Sequence, residues 1–198
     1  GWGAAVNLGE VRPGDTIIVQ GIGGLGSAAL QGARHAGATN IVAVDPVAFK
    51  REMAPVFGAT HTVATLAEAV DVVRPLTNGQ GADVLIITVG VLEPEYVPQA
   101  LAAIRKAGTV VVPSVGKHHA TASPVGMSDL TLSQKRLQGC CFGATNGMWD
   151  VKRLLDMYRR GQLNLDDMIT RTYSLDDISQ GYRDMHEGRN IRGVVMFD

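Results

Sequence analysis

The 198 residues suffice for one sizeable core, or for one domain with an appendage. With 45% hydrophobic and 19% charged residues and a formal net charge of −1, the chain reads as globular, with nothing to attract nucleic acid or an anionic membrane. No run approaches the ~18 consecutive apolar residues of a membrane span, and the 24 glycines are spread over turns rather than gathered into low-complexity tracts. The opening Gly1-Trp-Gly-Ala-Ala-Val carries no initiator Met and reads as the interior of a longer protein. The two cysteines are neighbours, Cys140 and Cys141, which is no disulfide framework and points to a reducing, cytoplasmic compartment.

In chain order, residues 2–8 read as a short helix and residues 11–15 as a turn containing Pro13-Gly14. The β-branched run Thr16-Ile-Ile-Val-Gln20 feeds directly into Gly21-Ile-Gly23-Gly-Leu-Gly26. A small-residue helical pattern follows, through Leu25, Ala29, Gly32, Ala33 and Ala36. Gly21 permits the tight turn off the strand, and Gly23, lacking a Cβ, lets a pyrophosphate approach the backbone. Gly26 lets helix and sheet pack closely, and the helix N-terminus, at Gly24 and Leu25, offers free N–H groups and the positive dipole end. A second strand, residues 40–44, ends in Asp45, which follows Gly26 by 19 residues. That matches the spacing of roughly 20 at which an acidic residue accepts hydrogen bonds from the adenosine ribose. Strand, glycine turn, helix, strand and acid together predict a dinucleotide-binding unit.

Further along, residues 48–57 predict a helix closed by Gly58, residues 61–63 a short strand, and residues 66–76 a helix. Residues 83–89 are apolar almost without alternation, as a parallel strand covered on both faces requires. Residues 94–104 predict a helix stopped by Gly108, and residues 109–112 a fifth strand. Residues 116–123 read as loop, 129–134 as a helical turn, and 136–142 as a sixth strand at the sheet edge. Val151, Leu154, Leu155 and Tyr158 have amphipathic helical spacing. Ser174-Leu-Asp-Asp177 resembles a capping box before a last helix that Gly188 closes, and residues 193–197 form a final strand. Alternating strands and helices imply right-handed βαβ units. The expected architecture is therefore α/β: a Rossmann-type doubly wound, six-stranded parallel sheet over residues 1–142, with a helix-helix-strand extension over 143–198.

These residues resemble the cofactor-binding half and C-terminus of the zinc-dependent medium-chain alcohol dehydrogenases. The segments that carry the likeness are Gly1 to Val6, Val11-x-Pro-Gly-Asp15, the glycine motif, Asp45 with Lys50, and Ile191-Arg-Gly-Val194. Val44-Asp-Pro-Val-x-Phe-Lys-Arg-Glu52, Thr88-Val-Gly-Val91 and the run from Gly188 to Val194 are similar to the actinobacterial enzymes assayed with a nitrosoaniline dye. The resemblance implies hydride transfer between a primary alcohol or aldehyde and NAD. It also implies that the zinc ligands and the proton-relay residue lie upstream of this chain, so that these residues alone bind NAD and carry no catalytic side chain.

Asp45 decides between the two nicotinamide cofactors, because its carboxylate suits the ribose hydroxyls of NAD and repels the 2′-phosphate of NADP. Arg51 is close enough in sequence to soften that repulsion, but reads first as solvated surface. The resemblance implies that Lys50 reaches the adenosine ribose and that Arg192 pairs with the pyrophosphate, a task suited to two parallel N–H donors. It also implies that Val89, Pro113, Val115, Cys140 and Phe142 hold the nicotinamide end, Val115 by packing on the ring. Cys140 and Cys141 point to opposite faces of a strand and cannot converge on one metal ion, so they read as buried small hydrophobes. His118 and His119 read as loop surface near the cleft, and His35, His61 and His186 as structural. The resemblance further implies pairing of the edge strand with its twin in a homodimer. Three rivals stay open: an NADPH-dependent quinone or enoyl reductase domain, a methyltransferase, and an NAD-binding module without chemistry. Asp45 argues against the first. The absence of a terminal antiparallel hairpin pattern argues against the second.

Overall fold

The central strands of the sheet form where β-branched residues run together, and they bury because both faces find cover. A computed structural model describes residues 1–117 and 124–197; His118 and His119 lie outside the described residues. Thr16–Gln20 (β1), Asn40–Val44 (β2), His61–Val63 (β3), Ala82–Ile87 (β4), Ile104–Val112 (β5) and Arg136–Gly139 (β6) form one parallel sheet. Its order is β3-β2-β1-β4-β5-β6. The direction of winding reverses between β1 and β4, and in such sheets ligands bind outside the carboxyl ends of the strands at that point.

Alternate residues of each strand feed two separate cores. Ile17, Val19, Ile41, Ala43, Val84 and Ile86 pack with Ala29, Leu30 and Ala33 of Gly24–His35 (α1). Ile18, Val42, Val44, Leu85 and Ile87 pack with Val73 of Leu66–Leu76 (α3), and with Val97 and Leu101 of Tyr96–Ala103 (α4). Ala48–Met53 (α2) continues into a 3-10 turn, Ala54–Phe57, and Gly58 closes it at φ 110°. Ile17, Ile18, Leu85 and Ile86 are fully buried. Truncating any one to Ala costs about 2–5 kcal/mol, transfer and cavity terms together.

Several boundaries differ from the sequence expectation. α4 ends at Ala103 because Ile104 turns extended (φ −95°, ψ 153°), and Gly108 lies inside β5 rather than stopping a helix. The β4–β5 register shifts between Ala82 and Val84, with Ala107 at positive φ. Gly108 is needed there because a Cβ would come within 2.9 Å of the Arg105 carbonyl oxygen. The edge strand is shorter than expected. β6 stops at Gly139, and residues 142–144 form a 3-10 turn.

The C-terminal extension is helix-strand-helix-strand, not helix-helix-strand. Gly147–Arg159 (α6) is followed by Ile169–Tyr173 (β7), Ile178–His186 (α7) and Arg192–Val195 (β8), with β7 and β8 paired in parallel. β7 escapes a reading by pattern because its side chains are mostly exposed and its polar threonines and arginine break the apolar signal. Between β6 and α6, Met127–Leu132 (α5) having gone before, the turn at Gly143 packs against Gly3, and Asn7 Nδ2 donates to the Gly143 carbonyl (2.9 Å). Between α6 and β7, Gln31 of α1 clamps the extension twice: Nε2 donates to the Asn164 carbonyl (2.9 Å), and Oε1 accepts from the Asn164 N–H (2.7 Å). Trp2, Met157 and Leu163 bury together alongside, with the Trp2 ring 5.6 Å from that of His35 and beneath the Arg153 guanidinium. Among the described residues, no helix is long and apolar enough to cross a membrane.

Candidate dinucleotide-binding site

Each glycine of the turn after β1 answers to a different neighbour. Gly21 sits at φ +96°, where an added Cβ would be 2.9 Å from the Thr88 backbone. Its N–H donates to the Val44 carbonyl at 2.7 Å, and its carbonyl accepts from the Thr88 hydroxyl at 2.6 Å. A Cβ on Gly26 would overlap the Gly21 carbonyl oxygen, so helix and turn touch backbone to backbone. A Cβ on Gly23 would meet nothing within 4 Å, which leaves space against the backbone at the start of α1. The first N–H groups of a helix have no partner within it, so that space faces donors and a positive dipole end.

Asp45 is buried at 4% exposure just beyond β2. Its Oδ2 accepts the Ile22 N–H at 2.7 Å and its Oδ1 the Val47 N–H at 2.9 Å. Lys50 Nζ stands 3.9 Å from Oδ2, its side chain only 17% exposed. The acid thus also ties the glycine turn to the end of β2, a second role that its spacing alone did not reveal. Each carboxylate oxygen retains capacity for one more donor, as a pair of ribose hydroxyls requires. Arg51 is not the solvated surface residue expected. Its Nη1 donates to the carbonyls of Asp45 and Pro46, both at 2.8 Å, because the turn after β2 leaves those acceptors unpaired.

Arg192 comes to the same place from the far end of the chain. A Cβ on Gly24 would overlap its guanidinium, which therefore lies directly against the start of α1. Among the described residues no carboxylate stands within ion-pair reach of it. A cation held against the positive end of a helix, without a counter-charge, is an arrangement an anion would complete.

The nicotinamide-end candidates follow the carboxyl ends of β4 and β5. Gly21 packs against the Val89 N–H, and the Ser114 hydroxyl, between Pro113 and Val115, lies 2.7 Å from the carbonyls of both Ile87 and Val89. Val115 is 79% and Phe142 89% exposed, so both offer apolar surface. Cys140 is half-buried with its N–H on the Val112 carbonyl, but Cys141 is exposed, not buried as expected, because β6 ends before it. The sequence reading missed Thr88 and Ser114 as pins for the two turns; a hydroxyl residue just past an apolar strand is the only local signal for either.

The zinc-binding dehydrogenase family matches residues 24–158. The chain belongs to that family. Over 196 residues it is 49% identical to a putative alcohol dehydrogenase D of Mycobacterium tuberculosis, covering 99% of this chain and 53% of that protein. It is 46% identical, with the same coverage, to the NDMA-dependent alcohol dehydrogenase of Amycolatopsis methanolica. The chain spans about half the length of the curated relatives it matches. Among solved structures, benzyl alcohol dehydrogenase from Acinetobacter calcoaceticus superposes with a TM-score of 0.91 at 26% identity, over 100% of this chain and 54% of that one. A zinc-binding dehydrogenase from Sinorhizobium meliloti, bound to NADP, superposes at 0.75 with 30% identity, over 89% and 51%. Rossmann topology and zinc-type dehydrogenase kinship thus agree. Among the described residues, the space at Gly23, the Arg192 guanidinium and Asp45 fit a dinucleotide. Among the described residues, no group of three or more His, Cys, Asp or Glu is placed to hold a metal.

Proposed function

We propose that this chain is the NAD(H)-binding portion of an alcohol dehydrogenase that moves a hydride between a primary alcohol or aldehyde and NAD. The observation that carries the reading is the unpaired Arg192 guanidinium against Gly24, across the glycine turn from Asp45. Arg192 and the first amides of α1 hold the diphosphate. Asp45 and Lys50 hold the adenosine ribose. Val89, Pro113, Val115, Cys140 and Phe142 line the nicotinamide end. When bound, the nicotinamide accepts or returns the hydride; these residues orient it and wall off one side. Zinc chemistry belongs to residues outside this chain, so the chain by itself binds NADH and oxidises no alcohol. Alcohol oxidation by the isolated, zinc-free chain would contradict this.

Residues 1–142 form the nucleotide-binding unit, and residues 143–198 form an extension. The exposed β6 edge pairs with its twin in a homodimer, since a bare edge strand invites such pairing. Sedimentation at micromolar concentration, with monomer alone, would remove that part. NAD is preferred over NADP because a 2′-phosphate beside Asp45 would be a like-charge contact costing several kcal/mol. The Arg51 guanidinium, bonded to the carbonyl of Asp45, favours the NADPH reading instead. Fluorescence titration with NADH and NADPH decides between them: at least about a hundredfold preference for NADH is expected, and equal affinities would overturn the NAD assignment.

A further inference from the structure

We infer that Asp184 and Tyr173 are positioning residues that hold Arg192 over the start of α1. This rests on the nucleotide reading above and extends it to a cluster in the C-terminal extension.

Asp184, on α7, is wholly covered by protein. Its carboxylate accepts from the Tyr173 hydroxyl at 2.8 Å, from Gln180 Nε2 at 2.8 Å and from Arg171 Nη1 at 2.9 Å, with Arg189 Nη1 at 3.6 Å. A buried charge persists only when donors surround it, and here four side chains from β7, α7 and the following turn do so. The Tyr173 hydroxyl has one proton, and that proton goes to Asp184. Its oxygen is therefore turned to accept, and it takes the Asn190 Nδ2–H at 3.0 Å. The charge on Asp184 polarises the whole line from Asn190 through Tyr173.

The line ends at the residues on either side of Arg192. The Arg189 N–H is held by the Asp184 carbonyl (2.8 Å), Asn190 by Tyr173, and the Ile191 N–H by the Thr170 hydroxyl (2.9 Å). On the other side, a Cβ on Gly193 would come within 2.7 Å of the Tyr173 ring, so that ring lies close against the backbone just past Arg192. Tyr173 thus grips both flanks of the arginine, by its hydroxyl at Asn190 and by its ring at Gly193. None of these groups reaches the glycine turn. They bind an anion only through where they put the guanidinium.

The test compares NADH, ADP and adenosine binding to the wild-type protein and to Y173F, R192A and the double variant. Tyr173→Phe keeps the ring and removes only the hydroxyl, so it is the gentle probe; Asp184→Asn is the harsher one. Y173F is expected to weaken NADH and ADP about five- to tenfold, as losing one link to a charged hydrogen-bond network does, while adenosine stays within about twofold. In the R192A background the further change should vanish, since the hydroxyl acts only through that guanidinium. Unchanged ADP binding in Y173F would overturn the inference, as would equal losses for adenosine and ADP, or losses that add to those of R192A. An R192A protein that binds ADP like wild type would remove the nucleotide reading itself. A normal loss in R192A beside an unaffected Y173F removes only the positioning role.

Discussion

The β1–α1–β2 unit and the C-terminal extension bring opposite kinds of order to one site. In the first, Ile17, Ile18, Val19 and Val42 are completely buried, and the proposed binding groups, Gly21 to Gly26 and Asp45, lie on adjoining turns. In the second, β7 and β8 are largely exposed, and the residues before one arginine are bonded into a network of side chains around Asp184. The lesson is that a backbone site can be written locally, whereas a single side chain brought from a distance needs its own scaffold.

The comparison breaks hardest at Gly26. A Gly26→Ala side chain must displace the Gly21 carbonyl and crowds the Thr88 hydroxyl at 3.0 Å, so a stability loss of about 3 kcal/mol and loss of NADH binding are expected, read by thermal unfolding and titration. Asp45→Ala comes next. It removes the ribose acceptor and orphans the buried Ile22 N–H, which should weaken NADH by about 10- to 100-fold. Retained affinity would mean that the acid serves only to brace the turn. Gly23→Ala sharpens the contrast, because its Cβ meets no protein atom. Stability should stay within about 0.5 kcal/mol while NADH binding falls about tenfold, the methyl standing where the diphosphate approaches.

In the extension, Gln31→Leu removes both bonds to Asn164. Hydrogen exchange should report opening of residues 143–197 made easier by about 1 kcal/mol, with β1 and β4 unaffected. The smallest effect is an acid one. The Tyr173 hydroxyl bond, then the Gln180 bond, hold the Asp184 carboxyl below its usual value of 3.8. A lowered value in the folded state means a contribution fully present above about pH 4 and lost as pH falls through the lowered value. Asp184→Asn should therefore flatten the acid limb of the extension's stability, followed by hydrogen exchange between pH 5 and pH 2.

Much of the fold could be read from particular residues. Unbroken apolar runs such as Val84 to Ile87 can serve only where both faces are covered, so they announce a parallel sheet. The glycine spacing and Asp45 announced the turn and its acid. Gly108 misled because a glycine past a helical pattern usually ends it, yet here it fits a register shift between β4 and β5. β7 carries no pattern because its side chains are mostly exposed and its threonines and arginine interrupt the apolar signal. Arg51 gives no sequence signal of its bonds because its acceptors are carbonyls, which every residue has.

The sequence by itself determined the wound sheet, the glycine turn and the acid that follows it, since each depends on steric and pairing rules acting over a few residues. Only the tertiary structure decided that Asp45 reaches back to Ile22, that Gln31 clamps the extension, and that a buried carboxylate on α7 is tied through Tyr173 to Asn190, two residues before an arginine beside Gly24. Those contacts join segments far apart in the chain, and side-chain hydrogen bonds leave no periodic trace in the order of residues.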